Sequence, residues 1–144
     1  MSRKTLAVFG ATGQQGSSII TRVLNDPLLT ATYTIRAITR DPTSVKALQL
    51  AKQHGVQVVA ADISHRHSLI SALTDVHTVF IMNPPSLGLT NFQSELDKAK
   101  TMADAAVEAG VKYIIFSTLP SVTEISGGKY TKVFLFDAKR QQVL

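Results

Sequence analysis

Residues 5–16 read TLAVFGATGQQG. The first five are apolar or β-branched and end at a glycine, the pattern of a strand buried on both faces. Gly10, Gly13 and Gly16 then follow at GxxGxxG spacing and open the first helical pattern, which starts within 14–16. A strand, a glycine turn and a helix in that order is the context in which backbone N–H groups at a helix start can meet phosphate oxygens. Gly10 would allow the tight turn. Gly13 would let the backbone approach a pyrophosphate, and Gly16 would let the helix lie close on the strand. Ala11, Thr12, Gln14 and Gln15 line the same loop and add backbone or side-chain donors. A mononucleotide loop is not expected, because no Lys-Ser/Thr pair follows the last glycine. A glycine trio that only shapes the turn is the alternative to dinucleotide binding.

Outward from this loop, apolar runs alternate with helical patterns. Strands are expected over 5–9, 34–38, 56–60, 76–82 and 112–117. The first helix starts within 14–16 and ends near Asn25, before Pro27. The second takes Asp41 as N-cap and Pro42 as its first residue, and stops at Gly55. The third follows Ser64 as N-cap over 65–73. The fourth opens on a capping box of Thr90 and Gln93 and turns Phe92, Leu96, Ala99, Ala103 and Ala106 inward. Gly110 ends it. Residues 118–131 read as a loop, and a further helix is expected to begin near Lys132. Such alternation predicts an α/β fold, a doubly wound parallel sheet of the Rossmann-like, NAD(P)-binding kind, in strand order 3-2-1-4-5. The chain looks truncated after the fifth strand and the start of the next helix.

Composition narrows the function classes. With 144 residues, 44% apolar and 17% charged, the chain suits one folded domain and not a disordered segment. It has no cysteine, which excludes a disulfide framework, a cysteine-liganded zinc and a thiol nucleophile, and a reducing cytoplasm is the expected compartment. The net charge of +5 sits entirely in residues 1–66, which hold eight Lys/Arg and three Asp/Glu. A basic half suits an anionic ligand. The basic residues are scattered, without an aromatic platform, so nucleic acid is not the expected partner. Arg3 and Lys4 precede an apolar run too short for a signal peptide, and the longest uncharged stretch is broken by Asn83, Pro84, Pro85 and Gly88. No membrane segment is expected. His65 and His67 do not share a helix face, and no metal site is expected.

The ends of the remaining strands supply the other candidates, because ligands of such folds sit beyond the carboxyl ends of the strands. Strand 2 ends in Thr39-Arg40, where an NAD site would place Asp or Glu. A guanidinium suits the 2′-phosphate of NADP, unless Arg40 is merely a solvated strand-end residue. Arg36, in the same strand, reads as a snorkelling edge residue. At the end of strand 3, Asp62 can bind the adenine amino group while Ile63 packs on its ring; alternatively Asp62 caps the next helix. Strand 4 ends in Asn83-Pro84-Pro85, a rigid turn placed for the nicotinamide ribose or an ordinary breaker. At the end of strand 5, the Ser117 hydroxyl either faces the nicotinamide or a substrate carbonyl, or satisfies its own turn.

Taken together, GATGQQG, Thr39-Arg40, Asp62, Asn83-Pro84-Pro85, Phe116-Ser117 and Phe136-Asp137-Ala138-Lys139 resemble the NmrA-like family, atypical members of the short-chain dehydrogenase/reductase superfamily related to isoflavone reductase-like enzymes. The resemblance spans essentially all 144 residues, as one incomplete domain that covers the N-terminal half of the family's usual length and lacks the substrate part. It implies an NADP-dependent oxidoreductase, with NADPH as cofactor, a small-molecule substrate, and a place in a fungal biosynthetic pathway. Lys139 would lie at the cofactor and serve proton transfer, unless it is a solvated helix lysine. The superfamily's usual Tyr-x-x-x-Lys pair is absent: Tyr33, Tyr113 and Tyr130 are followed four residues on by Ala37, Ser117 and Phe134. The family also contains regulators that bind NAD(P) without turnover and control a protein partner. That reading, and a truncated inactive product, stand beside the reductase.

Overall fold

The computed structural model describes residues 2–83, 92–132, 136–137 and 140. Five strands, β1 (Lys4–Phe9), β2 (Tyr33–Thr39), β3 (Val56–Ala60), β4 (Thr78–Ile81) and β5 (Tyr113–Phe116), form one sheet in the order β3-β2-β1-β4-β5. Every pairing is parallel. The expected order is therefore the observed one. Parallel alignment puts the carboxyl ends of all five strands at one edge of the sheet. Gly10, Arg40, Asp62, Asn83 and Ser117, each just past a strand end, share that edge.

The helices divide between the two faces because the side chains of β1 alternate. Leu6 and Val8 point to one face, where they pack with Ile20 and Val23 of α1 (Gln14–Leu24) and with Ile35, Ala37 and Phe80. Leu29 of α2 (Pro27–Thr32) and Leu50 of α3 (Val45–Ala51) border the same cluster. Ala7 and Phe9 point to the other face. There they meet Leu69 and Leu73 of α4 (Arg66–Leu73) and Met102, Ala105 and Ala106 of α5 (Phe92–Glu108).

Several helix starts differ from the sequence reading, each for a local reason. The first helix ends as expected, with Asn25 as its C-cap, but an unexpected short helix follows: Pro27 occupies the first position of α2, where its missing N–H costs nothing. The Asp26 carboxylate caps that helix, accepting from the N–H groups of Leu28 and Leu29 at 3.0 and 3.2 Å. Asp41 does not cap α3. Its carboxylate folds back on Thr43, at 2.9 Å from the backbone nitrogen and 2.6 Å from the hydroxyl, and Ser44 caps Ala47 instead. His65, not Ser64, holds the N-cap position of α4. A short helix, α6 (Val122–Ile125), interrupts the expected loop over 118–131. Thr90 of the expected capping box lies outside the described residues. In α5 the buried stripe is Glu95, Ala99, Met102, Ala105 and Ala106, so Leu96 and Ala103 are only half buried.

Arg36 is not a snorkelling edge residue. Its Nη1 donates to the carbonyls of Ala72 and Thr74 at 3.0 and 2.6 Å, and its Nε donates to Gln57 Oε1 at 3.0 Å. The guanidinium thus ties the C-terminal end of α4, the negative end of that helix, to the centre of β2. Arg36→Ala is expected to cost about 1.5–3 kcal/mol, because it removes hydrogen bonds from a charged donor, one of them part-buried. The check is a urea titration, with a lower midpoint and an unchanged slope. A change below about 0.5 kcal/mol, as for an ordinary surface site, would mean the clamp holds nothing.

The edge strand β5 is unusual for a parallel sheet. Tyr113, Ile114 and Ile115 remain 62%, 39% and 51% exposed. By contrast, all four residues of β4, between β1 and β5, are buried.

Candidate functional site

The glycine loop has the geometry its spacing implies. Gly10 lies at φ +62°, in the left-handed region that a side chain disfavours. A Cβ on Gly16 would sit 2.2 Å from the Gly10 carbonyl oxygen and 2.7 Å from its carbon. Helix α1 can therefore start this close to β1 only with glycine at position 16. The loop is closed internally by Gly13 N–H to Gly10 O at 2.9 Å and by Ser17 N–H to Gly13 O at 3.0 Å.

The start of α1 is chemically open. Its N-cap is Gly13, which has no side chain to accept from the first-turn N–H groups, and that turn contains no acidic residue. The positive end of the helix is thus unopposed, with Gln14 and Gln15 exposed and Thr12 half exposed beside it. This donor set fits a diphosphate. Ala11 is the exception among the loop residues: its side chain is fully buried in the core, and its N–H points to Ile38 O at 3.4 Å. Met82, in sequence simply the last residue of an apolar run, covers the loop. Its Cε would lie 2.7 Å from a Cβ on Gly10.

At the end of β2, the Thr39 hydroxyl accepts from the Asp41 N–H at 3.3 Å and shapes the turn that carries Arg40. Arg40 is exposed, and no carboxylate among the described residues pairs with it. Its neighbour Asp41 is held below the usual carboxylate range by the Thr43 hydroxyl and N–H, so its charge is already engaged.

Asp62 serves its own turn first. Its Oδ1 accepts from the Ser64 N–H at 2.8 Å, which holds the carboxyl below its ordinary value, and Oδ2 lies 3.4 Å from Nδ1 of His65. The side chain is still half exposed and Ile63 beside it is half buried against the core, so both stay at the open edge.

Asn83 is placed differently from the expectation of a ligand-facing polar turn. Its side chain is fully buried, and Nδ2 donates to the backbone oxygen and to Oε2 of Glu95, both at 3.0 Å. Glu95 is itself 3% exposed, with Oε1 accepting from Lys98 at 3.2 Å. The amide thus fastens the end of β4 to the first turns of α5. The sequence signal for Glu95 was its place on the apolar stripe, four residues before Ala99, where a solvated carboxylate does not belong. Pro84, the next candidate, lies outside the described residues.

Ser117 is brought to the glycine loop. Its hydroxyl donates to Gln15 Oε1 at 2.7 Å across 102 residues of sequence. Lys139 lies outside the described residues, but Asp137 of the same motif does not. The Asp137 carboxylate accepts from the Thr123 hydroxyl at 2.6 Å, from the Ser121 hydroxyl at 2.8 Å and from the Thr123 N–H at 3.1 Å. These bonds, the Thr123 hydroxyl foremost, hold it below the usual carboxylate range and tie the motif to α6.

A parallel sheet in this order, with an uncapped helix start behind a GxxGxxG turn, defines a Rossmann-like fold of the NAD(P)-binding type. The chain belongs to the NmrA-like family, whose model matches residues 2–142. It is 35% identical over 143 residues to the NmrA-like family domain-containing oxidoreductase ptmS of Penicillium ochrochloron, covering 97% of this chain and 41% of that protein. Among solved structures it resembles the Citrobacter sp. triphenylmethane reductase complexed with NADP(H), with a TM-score of 0.74 and 28% identity over 96% of this chain and 43% of that one. It also resembles NmrA, a negative transcriptional regulator solved in complex with NADP, with a TM-score of 0.76 and 23% identity over 99% of this chain and 41% of that one. The chain thus spans about two-fifths of the length of the relatives it matches. Among the described residues, no helix is long and apolar enough to cross a membrane.

Proposed function

We propose that this chain forms the dinucleotide-binding part of an NADP(H)-dependent oxidoreductase of a fungal biosynthetic pathway, acting on a small molecule. The observation that carries the reading is the pairing, on one sheet edge, of the unopposed α1 start with the unengaged Arg40 guanidinium. The diphosphate would lie on the N–H groups of the first turn of α1, with Gly10, Gly13 and Gly16 leaving room for it. Arg40 would bind the 2′-phosphate, Thr39 would hold the Arg40 turn, and Asp62 and Ile63 would take the adenine. A nicotinamide seated on the β4–β5 side supplies the hydride chemistry. Lys139, two residues after the anchored Asp137, would donate the proton to the reduced group. Asn83 would act from below, by fixing the strand end rather than by touching ribose. Kinship with ptmS, named an oxidoreductase, supports the redox part of the reading.

A second reading is a cofactor-sensing regulator that controls a protein partner. One observation favours it: no tyrosine stands four residues before a lysine. The likeness to NmrA, at 23% identity, shows the fold alone. The two readings separate in one experiment, in which NADPH oxidation is followed against a panel of aldehydes, ketones and quinones beside a binding titration. Turnover that Lys139→Ala abolishes supports the oxidoreductase. Tight binding without turnover on any of the panel supports the regulator.

A further inference from the structure

The contact between Ser117 and Gln15 joins the last strand of the sheet to the glycine loop, and both backbones are already fixed. The Ser117 N–H donates to Ile81 O at 2.9 Å, which locks the end of β5 to β4. Gln15 belongs to the first turn of α1, whose start is closed by the Gly13–Gly10 and Ser17–Gly13 bonds. Only the Gln15 side chain is left to be positioned, and it is exposed. An exposed neutral hydrogen bond contributes little to stability, so this one does not exist to hold the fold. What it does is fix a rotamer-rich side chain, which would otherwise lose conformational freedom on being ordered by a ligand.

The chemistry of the amide then sets the consequence. A glutamine side chain has one acceptor oxygen and one NH2 donor pair. Ser117 engages the oxygen at 2.7 Å, so Nε2 is the group left to serve a ligand. Beside an unopposed helix start, a donor attracts an anion and a free carbonyl oxygen repels it. The hydroxyl has a single proton, and it is given to Gln15. That proton is not at the same time available to a substrate carbonyl. Gln15 lies on the β5 side of the loop, whereas Arg40 and Asp62 lie on the β2–β3 side. The half of a dinucleotide next to Gln15 is therefore the nicotinamide half.

We infer that Ser117 is a positioning residue acting through Gln15: it turns the amide so that Nε2 binds the nicotinamide-side phosphate or ribose of a dinucleotide on the glycine loop. The inference rests on the dinucleotide reading above and deepens it. The test is a titration of the chain with NADPH and with adenosine 2′,5′-bisphosphate, which keeps the 2′-phosphate and lacks the nicotinamide half. Ser117→Ala and Gln15→Ala are each expected to weaken NADPH about 2- to 12-fold, the range of one ordinary hydrogen bond. Both should leave the bisphosphate and the melting temperature unchanged. The double variant should lose no more than Gln15→Ala alone, and Ser117→Thr, which keeps the hydroxyl, should bind as the unsubstituted chain does. Multiplying losses in the double variant, equal losses on both ligands, or an unaffected NADPH affinity in Ser117→Ala would overturn the inference and leave the dinucleotide reading standing. An unsubstituted chain that binds neither ligand would overturn that reading, and the inference with it.

Discussion

Gly16→Ala is expected to abolish nucleotide binding and to destabilise the fold by at least about 3 kcal/mol, at the upper end of what overpacking costs. The added methyl would lie 2.2 Å from Gly10 O, 2.7 Å from Gly10 C and 2.9 Å from Ala11 Cα. All three are backbone atoms, so no side chain can rotate away. Gly10 cannot yield either, because its φ of +62° is set by the turn and Met82 lies over it. Ala11 is fully buried. Relief requires moving the start of α1 off β1, which opens the packing of Ile20 and Val23 against Leu6 and Val8. Gly13→Ala is the control. A methyl there would meet Gly10 O at 3.3 Å, a tight contact but one over 1 Å longer than the 2.2 Å overlap at position 16, so it asks for a far smaller shift. Thermal unfolding and NADPH titration of both variants should separate them. Gly13→Ala should stay folded and lose affinity, and Gly16→Ala should lose both. A Gly16→Ala chain as stable as the unsubstituted one would mean that the helix and strand are not in such close contact.

Arg40→Asp is expected to reverse cofactor choice. A charge-assisted contact between guanidinium and phosphate contributes about 1.5–3 kcal/mol, which is about 10- to 150-fold in affinity. The substitution should weaken NADPH by at least that factor, because a carboxylate also repels the 2′-phosphate. NADH should bind as well as before or better, since a carboxylate can accept from the ribose hydroxyls. The effect should shrink with added salt, as exposed charges are screened. Nothing in the fold should suffer, because Arg40 is exposed and has no ion-pair partner among the described residues. Titrations of both cofactors into both chains at low and high salt read this directly. Equal losses of NADH and NADPH would show that Arg40 supports the loop and does not distinguish the phosphate.

Much of this architecture was legible in the residues. Parallel strands read as apolar runs, so TLAVF, VQVVA and the run before Asn83 stood out, although β3 at the sheet edge is only half buried while β4 is buried throughout, and right-handed crossovers favoured the observed order. The three glycines stood in a context that gave each a job, and two of those jobs are visible in backbone geometry. What escaped the sequence were contacts made across space. Arg36 looks like a solvated residue until α4 delivers two carbonyls to it. Asn83 looks like a turn residue until α5 presents a buried carboxylate. The Ser117–Gln15 contact spans 102 residues, which no local pattern encodes. Helix starts were misplaced where Asp and Ser compete to cap, since spacing alone does not say which carboxylate will fold its own turn. Nothing local in the sequence marks Asp137 as the anchor of α6, because its partners Ser121 and Thr123 lie 16 and 14 residues earlier.

The expectation is that the strand-end edge with Gly10 and Arg40 binds the phosphates of NADPH. The most direct measurement is an amide-shift map of the isotope-labelled chain on addition of NADPH. The largest changes should fall on Gly13–Ser17, Arg40 and Asp62, and adding inorganic phosphate or NADH instead should reproduce the first group more than the change at Arg40. Saturable shifts confined to α4 and α5, or no saturable shifts at all, would contradict it.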